Sequence, residues 1–446
     1  MSRKSVALAL AVIVLAGCSK LAEVIAPNLD LAVDAPSIVL ADDTSQATAV
    51  LVHGGGRREP VTATWTSSDP AVISIGSDGR FVGHIEGRQA TITAKSQDQN
   101  ASATITVRTD DRRLAYLLAD QPTATATYTP DANYSFNSSD GVNTVTRTGT
   151  GTYDVRFGGL RRDAGAHDDI QVSAYGTTAA YCKPSQWNSS GPDMVATVVC
   201  LLPNAVTIDS RFTAVLLGAR PFGTQAPFAF VLAPGDTLTV NGLDSTGTGR
   251  NSTGGHIAQG HVSEGSYALQ FDGMGKASAS GPVGIEVSAT GSGPRMCRVI
   301  AVDLTADGVG INCAKAGGQQ PGDASFSFLW LTHGKPGARL AYAWADNLSA
   351  SSYTPSAAYS YNSSGGAITV RRTGTGLFQV VFAGLARPAG KKEIVGISSG
   401  WEDFAFGHCV IGSWGTSGTQ DLAVNVSCFH TGGGASNQRF SVYVIE

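Results

Sequence analysis

From Arg113 to Glu446 the chain repeats itself, and the repeat constrains its fold more than any single motif. Arg113-Leu-Ala-Tyr116 recurs as Arg339-Leu-Ala-Tyr342, and Tyr128-Thr-Pro130 as Tyr353-Thr-Pro355. Tyr134-Ser-Phe-Asn137-Ser-Ser recurs as Tyr359-Ser-Tyr-Asn362-Ser-Ser, and Arg147-Thr-Gly-Thr-Gly151 as Arg372-Thr-Gly-Thr-Gly376. All of these lie 225 or 226 residues apart. A divergent copy sits between them, about 114 residues after the first, marked by Asn251-Ser-Thr and Gly265-Ser-Tyr267-Ala-Leu269-Gln-Phe271. The three copies span residues 112–218, 222–333 and 338–446.

Each copy carries two cysteines close in sequence: Cys182/Cys200, Cys297/Cys313 and Cys409/Cys428, separated by 18, 16 and 19 positions. An exported chain meets an oxidising compartment, so three local disulfides are expected. Zinc would call for tighter Cys pairs accompanied by histidines, and no metal is expected here. Tyr153, Val155 and Phe157 alternate with polar neighbours, as do Phe378, Val380 and Phe382, which places those side chains on one buried strand face. With 54 glycines and abundant Thr, Ser and Val, the composition favours short strands and tight turns. The expected fold class is all-β, each copy an antiparallel β-sandwich or barrel of about seven or eight strands. Because the cysteine pairs are local and each copy has its own alternating face, each copy is expected to fold alone, like a bead on a string.

The N-terminus reads as a secretion signal. Arg3 and Lys4 precede an apolar run from Val6 to Leu15 that ends in Leu15-Ala16-Gly17-Cys18. The run is shorter than the roughly 20 residues that span a bilayer. Its ending resembles the lipobox of bacterial lipoproteins. That resemblance implies that Cys18 is acylated and becomes the new amino terminus, with residues 19–28 as a tether to the membrane. Ser19, where an Asp would imply retention at the inner membrane, implies the outer membrane of the cell envelope. Lysine and arginine total 31 against 35 acidic residues, a net charge of −4, so the basic footprint of a nucleic-acid binder is missing.

Residues 29–109 carry a second pattern. Trp65-Thr-Ser-Ser-Asp-Pro70 is followed by Val72, by Gly79-Arg80, and by Ala90-Thr-Ile-Thr-Ala94 and Ala103-Thr-Ile-Thr-Val107. This resembles the bacterial immunoglobulin-like group 2 domain and implies a small β-sandwich with Trp65 in its core. The repeats in turn resemble a cysteine-containing domain of secreted and surface proteins of soil bacteria; that resemblance implies architecture and no mechanism.

Candidates for chemistry are few. Gly396-Ile397-Ser398-Ser399-Gly400 matches G-x-S-x-G, but the nucleophile elbow needs a strand turning into a helix, and the first copy has Val172-Ser-Ala-Tyr-Gly176 there. His408 beside Cys409 could activate a thiol, which a disulfide would remove. Asp110-Asp111 and Asp168-Asp169 read as solvated loop charge, because calcium cages need more ligands at regular spacing. Trp187 and Trp414 lie five residues beyond the first cysteine of their copies and have two readings: rings packed near the disulfide, or exposed platforms for a sugar ring. The expected function is a surface-displayed lipoprotein with a binding or adhesive role and no cofactor, its partner a glycan or an envelope protein. The alternative is a structural spacer or interaction scaffold. Without convergent titratable residues, no enzyme is expected.

Overall fold

Short strands with period-two burial build both units of the chain, which divide after Asp110. The computed structural model describes residues 30–40, 44–53, 56–85, 87–108, 113–162, 166–218, 227–235, 248–275, 281–315, 320–333, 339–399 and 407–446. Cys18, the tether 19–28 and Asp110-Asp111 lie outside the described residues. The fold is all-β, as the composition implies.

In the first unit, Ile38–Leu40 pairs in parallel with Gln99–Arg108, which continues antiparallel to Gln89–Ser96 and then Thr64–Ser67. A second sheet joins Asp30–Asp34, Thr48–Val52 and Arg58–Pro60, and a third joins Thr44–Gln46, Arg80–Gly83 and Ile73–Ile75. Alternate residues Ala90, Ile92, Ile105 and Val107 point inward with Phe81 and Ile73, and Trp65 packs against them half-buried.

Each repeat of the second unit is a sandwich of two sheets. In the first, an inner sheet orders Ser135–Asn137, Leu114–Ala119, Arg211–Leu217 and Asp169–Tyr175, and an outer sheet orders Asn143–Gly149, Thr152–Phe157, Asp193–Leu201 and Tyr181–Ser190. The second repeat reproduces this with Phe228–Ala233, Phe326–Thr332 and Val283–Ala289 inside, and Ser266–Phe271, Gly308–Lys315 and Arg295–Asp303 outside. The third does so with Leu340–Ala345, Phe440–Ile445 and Ile394–Ser399 inside, and Leu377–Phe382, Asp421–His430 and Gly407–Ser417 outside. The cysteine pairs lie directly opposite on neighbouring outer strands and form the disulfides Cys182–Cys200, Cys297–Cys313 and Cys409–Cys428. Loops of this length remove about 3 kcal/mol of unfolded-chain entropy each. Replacing Cys409 and Cys428 together by Ala should lower the urea midpoint accordingly, and an unchanged midpoint would show that the staple contributes nothing.

Each disulfide is tied to a hairpin glycine, which explains the recurring Thr-Gly motif. Gly151, Gly265 and Gly376 have φ of 66°, 69° and 69°, and their carbonyls accept the N–H groups of Cys200, Cys313 and Cys428 at 2.8, 2.7 and 2.7 Å. A Cβ on any of them would stand 2.7 Å or closer to the cysteine carbonyl oxygen. Their own N–H groups are held by Asp209, Asp323 and Asn437 at 2.8, 2.7 and 2.8 Å. The Arg147 guanidinium, ahead of the Gly151 N–H and Tyr153 hydroxyl, holds the Asp209 carboxyl below its usual range. Substituting Gly376 by Ala combines left-handed backbone with a steric clash, and is expected to cost about 2 kcal/mol or more in denaturant unfolding. No loss would mean that the hairpin relaxes freely.

The inner strands decide the assembly. Ala115, Leu117 and Ala119 face the core of their own sandwich, whereas Leu114, Tyr116 and Leu118 face away from it. That second face is buried as well, against Phe228, Phe230, Leu329 and Leu331 of the second repeat and Leu340, Tyr342, Ile394, Tyr443 and Ile445 of the third. Gly284 of the second repeat leaves room for the ring of Tyr342, which a Cβ would meet at 2.7 Å. The three repeats therefore form one unit from Asp111 to Glu446 around a shared core. This departs from the arrangement of beads on a string: the inner strands are buried on both faces, one of them against the other repeats.

Candidate functional site

The inner-sheet edge of each repeat meets the outer-sheet edge of another in cyclic order. The Gly176 N–H donates to the Ile411 carbonyl at 2.8 Å, bridging the first repeat to the third, and the Gly291 N–H donates to the Ser185 carbonyl at 3.2 Å, bridging the second to the first. Ser173 and Ser398 occupy equivalent positions on their strands and make the same kind of crossing. Ser173 Oγ donates to the Ile397 carbonyl at 3.1 Å and accepts from the Ile397 N–H at 2.9 Å. Ser398 Oγ accepts from the Val287 N–H at 3.4 Å. Ser398 is thus a seam residue, not a nucleophile on an elbow, and Gly400 of that motif lies outside the described residues.

Along the same strands lies a buried polar layer. Asp169, fully buried, contacts Ser327 Oγ of the second repeat and accepts from Gln171 Nε2 at 2.9 Å. Glu286 accepts from Ser441 Oγ of the third repeat at 2.8 Å. Burial pushes the Asp169 carboxyl up to about 8 and the Glu286 carboxyl well above its usual range. The neighbouring Asp168 is buried too, bound to Arg113 Nε at 3.1 Å and Arg162 Nε at 2.9 Å. The reading of Asp168-Asp169 as solvated loop charge is therefore corrected: one is a buried ion-pair partner, the other a neutral hydrogen-bonding acid between repeats.

At the disulfide end of these seams the six edge strands enclose a cleft of about 70 Å³. Around it stand Tyr181 and Lys183 from the first repeat, Arg295 and Met296 from the second, and His408 from the third, each within two residues of the first cysteine of its pair. Lys183 is only 2% exposed, and its ammonium donates to the carbonyls of Thr290 and Gly293 in the second repeat. Burial, with Arg295 nearby, pulls Lys183 down to about 7. Burial likewise pulls His408 down to about 4, so its ring is neutral at pH 7. Cys409 beside it is a disulfide sulfur and no thiol nucleophile.

Trp187 and Trp414, the candidate sugar platforms, are packing residues. Trp187 is 6% exposed in the core of its repeat, with Nε1 donating to the Asp168 carbonyl at 3.3 Å. Trp414 is half-buried between repeats, meeting Tyr134 and Tyr175 of the first repeat edge-on at 5.3 and 5.4 Å. Equivalent sequence positions thus do different work: the Trp187 ring is buried in its own sandwich, whereas that of Trp414 also meets tyrosines of the first repeat. Lys183, Tyr181, Arg295 and Glu286 escaped sequence reasoning, which places Asp169 in the wrong environment. One signal was available: the residue preceding the first cysteine is Tyr181, Met296 and then His408, three bulky side chains at one repeat position.

No protein-family model matches the chain, and no curated protein matches it. Among solved structures, the surface layer protein SbsC, domains 4–9, aligns over 80% of this chain at 11% identity and a TM-score of 0.18. The chain spans 63% of that structure. Overlap at that level carries no argument about fold or function.

Proposed function

We propose that the chain is a lipid-anchored envelope protein, held through Cys18 at the outer membrane, whose repeats form a rigid structural or interaction scaffold. The observation that carries this reading is the shared core, to which all three repeats contribute inner-strand residues. A body closed in that way keeps its surfaces in one arrangement, which a spacer or scaffold needs and a flexible string lacks. Three disulfides support an oxidising compartment. The adhesive reading through a glycan loses its platforms, since Trp187 and Trp414 are spent on packing.

Two measurements test the proposal. Substituting Cys18 by Ser should leave the precursor uncleaved or release the protein from membranes, and a cleaved product that still partitions into detergent would refute the anchor. A glycan array should give no specific signal. Saturable glycan binding that is lost in Trp414→Phe with unchanged melting would replace the scaffold by an adhesin.

A further inference from the structure

We propose that the cleft where the three repeats meet binds one small oxyanion, of the class of inorganic phosphate, sulfate or a terminal phosphate monoester. Two cationic side chains, Lys183 from the first repeat and Arg295 from the second, line it, and among the described residues no Asp or Glu does. An ammonium has three donors. Those of Lys183 meet two backbone carbonyls, which leaves one donor, and the charge of the ammonium form, without an anionic partner among the described residues. Arg295 spends Nε on the Asp323 carbonyl at 3.0 Å and Nη1 on the Pro294 carbonyl at 3.5 Å, again neutral acceptors.

The second observation is independent of charge. Tyr181, 8% exposed, lines the same cleft with a buried hydroxyl that has no hydrogen-bond partner among the described residues. A buried polar group left in that state costs about 1–3 kcal/mol, so its place beside a cation asks for an acceptor. From the third repeat comes the ring of His408, 4% exposed and edge-on to Tyr181 at 5.9 Å; the Ala179 backbone lies near it without reaching hydrogen-bond geometry. An oxyanion has several acceptor oxygens and a negative charge, and would serve Tyr181, Lys183 and Arg295 together. The volume of about 70 Å³ suits an ion of a few heavy atoms and lies far below the roughly 300 Å³ of sites for larger organic ligands. Since the lining comes from all three repeats, the ion would join them and stabilise the unit by mass action.

The test is calorimetric titration of the full chain in detergent with sodium phosphate, and separately with sodium sulfate, at constant ionic strength. One saturable site per chain is expected, weakened at least tenfold in both Arg295→Gln and Lys183→Met. Arg295→Gln, at a half-buried position, should melt with the wild type in phosphate-free buffer. Glycerol phosphate distinguishes the sources: binding comparable to phosphate identifies a terminal phosphate group as the ligand, and binding of phosphate alone identifies the free ion. Absence of saturable binding at millimolar concentrations, or equal binding by wild type and both variants, would overturn the proposal. Either result would leave the scaffold reading intact, because that rests on the shared core and not on the cleft.

Discussion

Replacing Asp169 by Asn is expected to raise the stability of the three-repeat unit at neutral pH. The folded chain keeps a proton on Asp169 up to about pH 8, whereas the unfolded chain releases it near 3.8. Folding therefore takes up a proton anywhere between those values, and stability falls as pH rises from about 4 to about 8. Each pH unit in that window is worth about 1.4 kcal/mol, so the penalty at pH 7 is on the order of 4 kcal/mol. An amide has no charge to suppress. It can still accept from Gln171 Nε2 and donate to Ser327 Oγ, the two partners of the acid. Chemical denaturation from pH 4 to 8 should show the variant overtaking the wild type as pH rises, with little difference at pH 4. A variant less stable than wild type at pH 7 would show that the carboxylate is ionised and compensated. Glu286 shifts in the same direction, so Glu286→Gln should add to the effect.

The second large effect concerns cooperativity. Residues 339–446 expressed alone, in an oxidising compartment, are expected to lack a cooperative unfolding transition despite an intact Cys409–Cys428 bridge. Outside the whole unit, Leu340, Tyr342, Ile394, Tyr443 and Ile445 would face water where they now face the other repeats. Phe230→Ala, fully buried in that shared core, should cost about 3–5 kcal/mol. It should move one transition for residues 113–446 as a whole. Calorimetry decides this. Separate transitions, of which only one responds to Phe230→Ala, or cooperative melting of the isolated third repeat, would restore the picture of independent beads.

Much of the architecture is local and was therefore legible. Strand alternation at Tyr153, Val155 and Phe157, the paired cysteines, and the Thr-Gly hairpins all involve residues close in sequence whose side chains meet across a single turn. What joins the repeats depends on partners more than 100 residues away, such as Lys183 with Gly293, Asp169 with Ser327 and Ser173 with Ile397. Even there one signal was visible. Leu114-Ala-Tyr-Leu-Leu-Ala119, Phe228-Ala-Phe-Val-Leu-Ala233 and Leu340-Ala-Tyr-Ala-Trp-Ala345 are continuous apolar runs without alternation, the mark of strands covered on both faces.

By itself, the sequence determined that the chain is all-β, that it repeats three times, and which cysteines lie close enough to pair, because hydrophobic period and loop length act over a few residues. The tertiary structure alone decided that Asp169 sits neutral in a buried seam, that Trp187 and Trp414 pack against other rings and core residues, and that Lys183, Arg295 and His408 converge on one cleft. Those outcomes depend on which strand faces which neighbour, and a solvated and a buried Asp are spelled the same. Only the packing of the three inner sheets around one core removes the water that would otherwise make that distinction disappear.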